Sequence, residues 1–301
     1  MRICSLLPGA TEVVAALGLA DDLVAVSHEC DYPPAVRAKP VVIRSEVEPE
    51  RTSSRDIDRQ VRTALKAGTG LYRIDEDLLR RADPDLIITQ DLCEVCAVTP
   101  TEVRRALAGL GRTPRMLSLN PSSLEDVLRD IRAIGSAIGR EAYARRWVEE
   151  LKGRLDAVRA ALADDHRRRV ACLEWLDPIY SAGHWVPQLV TWAGGLDLLA
   201  QAGAKSAVVP WDRVRDNAPD VLILMPCGFS IARTLSELDR LTSRPGWGEL
   251  PAVRSGEVYA VEGPAYFNRP GPRLVDGVEI LAALFHPHRF GNRVPEGALR
   301  V

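Results

Sequence analysis

Long apolar runs are missing from this 301-residue chain. No stretch approaches the ~20 apolar residues that a membrane-crossing helix needs, so no span is expected. Met1-Arg2 leads straight into Ile3-Cys4-Ser5-Leu6-Leu7, too short for the charged, apolar and cleavage regions of a signal peptide. The chain as given is therefore expected to be cytoplasmic, or periplasmic or extracellular had a leader been removed. An excess of one charge is also lacking. The net charge is −2, so no field draws the protein to nucleic acid or an anionic membrane. Six cysteines are too few for a dense disulfide framework in a chain of this length, and only Cys93 and Cys96 are close neighbours. No glycine-rich phosphate loop, Ser/His/Asp set or paired-carboxylate pattern stands out. An enzyme is not the expected reading.

What is present is globular: 46% hydrophobic and 27% charged residues, enough for one large or two medium domains. The chain is organised around the stretch from Glu141 to about Asp165. Its apolar residues Tyr143, Trp147, Leu151, Leu155, Val158 and Leu162 fall on one helical face, while Arg146, Glu149, Glu150, Lys152, Asp156 and Arg159 form a solvated one. Roughly 25 residues at about 1.5 Å each make a rod of about 37 Å, the diameter of a small domain. A rod of that length at mid-chain suits a strut across two bodies. The flanks echo each other: Pro84-Asp85-Leu-Ile-Ile-Thr is matched by Pro219-Asp220-Val-Leu-Ile-Leu. Each flank alternates strand and helix, the pattern of a parallel sheet covered on both faces. The expected fold is α/β, two doubly wound parallel-sheet lobes joined by one long rigid helix. The lobes are placed at 1–120 and 169–301, with 121–168 connecting them and a loosely held tail from about His286. Little relative motion of the lobes is expected.

Ligands bind such sheets beyond the carboxyl ends of the strands. From the first lobe those ends deliver Pro8–Glu12, His28–Tyr32 and Gln90–Cys96. From the second they deliver Trp175–Trp185, with His184 among them, then Trp211, Pro226–Phe229 and Gly263–Arg269. Aromatics are only 5% of the chain, yet Trp175, Tyr180, Trp185, Trp211, Phe229, Tyr266 and Phe267 gather in the second set. Large rings in loops suit a large flat or apolar ligand. His28, Cys30, Cys93 and Cys96 all follow first-lobe strands. Such a set fits zinc or another thiophilic metal, a redox dithiol or a disulfide, or a ligand to a metal held inside a bound cofactor.

Several motifs, in order and spacing, resemble one known family. They are Ser5-Leu-Leu-Pro-Gly-Ala-Thr-Glu12, Ala25-Val-Ser-His-Glu-Cys-Asp-Tyr-Pro33, Pro84-Asp-Leu-Ile-Ile, Tyr180-Ser-Ala-Gly183, Gly194-Gly195, Val209-Pro-Trp211 and Tyr266-Phe-Asn-Arg269 with Pro272-Arg273. The chain is similar to the class III periplasmic-type substrate-binding proteins, and among them to the cobalamin-binding proteins of vitamin B12 ABC importers. The resemblance implies two α/β lobes bridged by one long helix, a non-catalytic binding role, a corrinoid ligand such as cobalamin and an ABC permease as partner. It also implies that Trp211, Tyr266, Phe267 and Arg269 lie against the corrinoid. The segment from Pro40 to Asp75 is longer than the family pattern, and Cys30, Cys93 and Cys96 are outside it. Haem or a ferric siderophore as the metal chelate, or a metal or redox protein built on the cysteines, are the alternatives.

Overall fold

A computed structural model describes residues 1–47, 52–67, 70–90, 103, 105–106 and 113–301. Two sheets organise them. The first has six strands: β1 (Ile3–Ser5), β2 (Leu23–Ser27), β3 (Val41–Ser45), β4 (Tyr72–Ile74), β5 (Leu86–Gln90) and β6 (Arg115–Leu119), in the order β4-β3-β2-β1-β5-β6. All neighbours are parallel except the edge pair β3 and β4. Strand β5 is buried along its whole length, which is why its residues are apolar on both faces rather than alternating.

The second sheet contains β7 (Arg168–Leu176), β8 (Ile179–Ser181), β9 (Gly195–Asp197), β10 (Ala207–Val208), β11 (Val221–Leu224), β12 (Val258–Val261) and β13 (Ala298–Arg300). Its order is β10-β8-β7-β11-β12-β13, with β9 on the start of β7. Strand β13 lies antiparallel on β12, and the Val301 amide donates to the Val258 carbonyl at 2.9 Å. The tail expected to be loose is thus part of the sheet: its backbone groups close the exposed edge of β12.

Between the sheets runs the strut helix, Glu141–Ala161. It stops one turn earlier than its apolar pattern suggested, because Leu162 packs as a cap rather than as another turn. Its buried stripe is Ala144, Val148, Leu151, Leu155 and Val158, and Tyr143 is 57% exposed. Ala144 takes the inward place because it sits against Gly135 of the preceding helix (Leu124–Ala137), where a Cβ would collide with the alanine methyl. The stripe belongs to one continuous apolar cluster. That cluster takes in Ile3, Val13 and Ile88 from the first lobe, and Val170, Ile223 and Phe285 from the second. Each sheet also has its own core on its other face. A common core along the strut, with Arg154 held by Asp276 and Glu279 of the second lobe at 2.5 and 2.6 Å, opposes bending between the lobes.

Two short helices, Ile231–Leu235 and Asp239–Thr242, follow β11. The long segment from Pro40 to Asp75 supplies β3, β4 and a helix, Ser54–Ala67, called the strap below.

Candidate functional site

The turn after β1 enters a helix through Pro8, and Gly9 there meets Pro270 and Gly271 of the second lobe. A Cβ on Gly9 would fall on the Pro270 carbonyl, and one on Gly271 would lie 3.0 Å from the Gly9 Cα. Both positions need glycine because two backbones touch there. The contact fixes how near the two sets of strand ends approach.

Two arginines beside this joint reach across. Arg273 donates from Nε to Glu12 Oε2 at 2.9 Å and from Nη2 to Oε1 at 2.5 Å, a two-point pair on a carboxylate that is 5% exposed. Burial pushes the Glu12 carboxyl up, and Arg273 offsets only part of that. The Arg273 guanidinium also lies 4.4 Å from the Tyr32 ring and 5.7 Å from that of Tyr266. Arg269 donates to Asp31 at 2.7 Å and to Glu29 at 3.0 Å. Burial alone would lower its guanidinium, but Asp31 and Glu29 outweigh it.

The strap closes a second side. Its first residue, Ser54, is fully buried and donates its amide to both oxygens of Glu237, at 2.9 and 3.1 Å, and its hydroxyl to Oε2. A carboxylate from the other lobe thus caps this helix, matching the orphan donors and positive end of a helix N-terminus. Burial would raise the Glu237 carboxyl; the Ser54 bonds and Arg233, 2.6 Å away, pull it below its ordinary value. Further along, Arg55 pairs with Asp177 at 2.8 Å, and the Tyr180 hydroxyl donates to Asp58 at 2.8 Å. The Trp175 indole donates to the Ser54 carbonyl at 3.0 Å and packs on Phe229.

Between these two crossings is a cavity of about 50 Å³ bordered by Gln90, Glu174, His184, Trp185, Cys227, Phe267 and Asn268. Two of its polar groups are the uncharged amides of Gln90 and Asn268. Asn268 Oδ1 is buried with no donor among the described residues. Glu174 accepts from the Gly183 amide at 3.1 Å and Ser206 at 2.8 Å, and burial pushes its carboxyl up. His184 sits at φ +54°, and burial, then the charge of Lys205, lowers its imidazole. A larger hollow, about 480 Å³, opens on the far edge of the first sheet among Arg44, Arg73 and Arg80. Its Arg80 is paired with Glu76 and Asp77, and it takes no part in the cleft.

The residues proposed from sequence divide. His184 and Trp185 border the cavity, with the Trp185 indole donating to the Phe267 carbonyl at 2.7 Å. Trp175 serves the strap. Arg269 is engaged by Asp31 and Glu29 rather than open to a ligand. Phe267 is fully buried beneath the cavity with its ring on Gly277. Tyr266 is half-buried against Arg273 and Gly297. Trp211 is a correction: its ring stacks on Trp247 at 6.2 Å, and its indole donates to the Pro245 carbonyl at 2.7 Å. It belongs to the outer core of the second lobe.

Of the proposed metal set, Cys30 and His28 are described, and each is turned to other partners. The Cys30 thiol is buried with Thr11 Oγ1 at 3.0 Å and Ser27 Oγ at 3.4 Å, and burial pushes it up, the opposite of what a thiolate ligand needs. His28 turns elsewhere, toward the Ile43 carbonyl at 3.1 Å and Glu29 at 3.4 Å. Cys93 and Cys96 lie outside the described residues. Glu12, Gln90 and Asn268 lie in loops expected at the cleft but were not singled out there, and Glu237 and Arg273 were not named as site residues. The paired Pro-Gly turns at 8–9 and 270–271 were the one local sign of where the lobes meet.

A family model described as periplasmic binding protein matches residues 3–265. The chain is 26% identical over 296 residues to the uncharacterized ABC transporter substrate-binding lipoprotein YvrC of Bacillus subtilis, covering 96% of this chain and 81% of that protein. It is 25% identical over 280 residues to the vitamin B12-binding protein of Vibrio cholerae, covering 92% and 86%. In fold it is similar to the periplasmic heme-binding protein RhuT from Roseiflexus in apo form, with TM-score 0.71, 23% identity and coverage of 95% and 98%.

Proposed function

This chain belongs to the periplasmic binding protein family, and we propose that it holds a corrinoid between its lobes, without catalysis, for delivery to an ABC permease. The observation that carries the choice of ligand is the state of the cleft's charges. Arg269 and Arg273 are both engaged by carboxylates of the first lobe. The groups bordering the cavity include the amides of Gln90 and Asn268, the Trp185 ring and His184, whose imidazole burial lowers. A corrinoid is fringed with neutral amides, which such groups can match. Haem presents carboxylates, and ferric siderophores are commonly anionic; both call for unpaired cations. The resemblance to B12-binding relatives supports the same reading. The likeness to a heme-binding protein keeps haem as the second reading.

A cavity of about 50 Å³ is far below the several hundred Å³ of a site for a drug-sized ligand. Entry therefore needs the cleft to open, and we assign that motion to the strap, which crosses to the second lobe at Glu237, Asp177 and Tyr180, while the strut and the glycine joint hold the lobes. We take the lobes as 1–120 and 169–301 with 121–168 between them. Among the described residues no helix is long and apolar enough to cross a membrane. The relatives are named as periplasmic or as a lipoprotein, so the expected cytoplasmic location has no support from them, and we place the protein outside the cytoplasmic membrane. The test is to mix purified protein with cyanocobalamin, desalt it and record its absorption spectrum. Corrinoid bands travelling with the protein support the reading, and their loss on desalting while hemin is retained overturns it.

A further inference from the structure

Away from the cleft, the turn that follows the strut meets the segment after the helix Leu274–Phe285. Two imidazoles and a carboxylate converge there: His286, His288 and Asp165, one ligand atom of each lying within 4.8 Å of the others. His286 is 3% exposed on its side chain. Its Nε2 lies 3.2 Å from the Gly194 carbonyl oxygen. A carbonyl only accepts, so Nε2 carries the hydrogen and a neutral ring presents a lone pair at Nδ1. What Nδ1 faces is Asp165 Oδ2, 3.6 Å away. His288 brings Nε2 to within 3.3 Å of that same oxygen. At His286 a lone pair therefore faces a carboxylate oxygen, an arrangement that a cation between them would resolve, and His288 Nε2 is placed to join it in the tautomer that leaves this nitrogen unprotonated.

The surroundings hold these atoms in place. Gly194 sits at φ +79°, and a Cβ there would lie 2.5 Å from His286 Nε2, so glycine lets this carbonyl reach the ring. Arg289 grips the carboxylate, with Nη2 at 2.9 Å from Oδ1 and Nε at 3.1 Å from Oδ2. A histidine whose far nitrogen donates to a backbone carbonyl, beside a carboxylate that is itself held, is the outer shell seen around metal ligands.

We propose that Asp165 Oδ2, His286 Nδ1 and His288 Nε2 form a site for one divalent transition-metal ion of the zinc class, with solvent completing its coordination. Two nitrogens and one oxygen suit zinc, cobalt, nickel or copper, whereas magnesium and calcium select all-oxygen sets. His288 is 62% exposed, which leaves a solvent-facing route to the metal. The bound ion ties the end of the strut to the last long helix and the Gly194 turn, three elements of different parts of the chain. A proton on His286 Nδ1 answers the same geometry, but it puts a charge on a ring whose side chain is 3% exposed.

The experiment uses the full chain, untagged and stripped with chelator, titrated with zinc chloride by calorimetry and then with cobalt(II) chloride by visible absorption. The site takes up zinc, and His288→Ala and Asp165→Asn each weaken uptake by more than about tenfold, the range that loss of even an outer-shell partner costs. Cobalt shows ligand-field bands without a thiolate charge-transfer band, and zinc raises the thermal midpoint in the unmodified chain but not in His288→Ala. No zinc uptake, uptake unchanged in both variants, or a cobalt spectrum dominated by thiolate charge transfer overturns the proposal. Because the His288 side chain is largely solvent-exposed, its removal leaves folding intact and the comparison readable.

Discussion

Arg273 of the second lobe grips Glu12 of the first at two points, 2.9 and 2.5 Å, beside the place where Gly9 and Gly271 bring the two backbones together. The pair is almost closed off from solvent, so removing one partner leaves a buried charge. Arg273→Ala is expected to cost about 3–5 kcal/mol in urea unfolding. Glu12→Gln with Arg273→Met should cost much less than the sum of the single changes. Additive losses in that cycle would mean the two side chains act independently.

The strap is the part expected to move. Glu237→Gln removes the charge that caps Ser54 and should speed proteolytic cleavage within 52–67 at least severalfold, leaving the midpoint of global unfolding nearly unchanged. The pH dependence follows from the Glu237 carboxyl being held below its ordinary value. Its contribution is present above the unfolded value, about 4.3, and is lost as pH falls through the lower folded value. Cleavage in the strap should therefore accelerate only below about pH 4. Acceleration already near pH 6 would point to a different group.

Asp197 has the opposite sign. Burial pushes its carboxyl up to about 6, with amide bonds from Leu199 and Ala200 offsetting part of it, and its Oδ2 is buried without a donor among the described residues. The charged form is penalised in the fold above pH 6, and the penalty fades between pH 6 and the unfolded value of about 4. Asp197→Asn should stabilise the chain at pH 8, on the order of 2 kcal/mol, and give almost no gain at about pH 3.5. Equal effects at both pH values in thermal melts would contradict this.

Aromatic substitutions separate the cleft from the core. Trp185→Ala and His184→Ala are expected to weaken corrinoid binding by about 1–3 kcal/mol each. Trp211→Ala should instead cost about 3–5 kcal/mol of stability, with affinity retained in the folded fraction. Calorimetry beside denaturant titration reads both. A loss of affinity in Trp211→Ala without loss of stability would return that ring to the ligand.

How much was legible in the sequence depends on where each residue finds its partner. The uniformly apolar Leu86–Thr89 and the period of the strut carry their own signal, and both are strand and helix as expected. The strap does not, because Ser54 is a polar residue made fully buried by Glu237 of the other lobe. Trp211 looked cleft-facing because it follows a strand, but Trp247 and Pro245, distant in sequence, draw it into the core. Cys30 followed a strand end as expected, yet Thr11 and Ser27 turn its sulfur inward. Arg269 was legible as a cleft residue, but not as already paired, since its carboxylates lie at the other end of the chain.

The most direct test of the central claim is a calorimetric titration of the ligand-free chain with cyanocobalamin and, separately, with hemin. The account predicts saturable one-to-one binding of cyanocobalamin and much weaker binding of hemin, because the cleft offers amides and rings and its two arginines are already paired. Tight hemin binding with no heat from cyanocobalamin would contradict it.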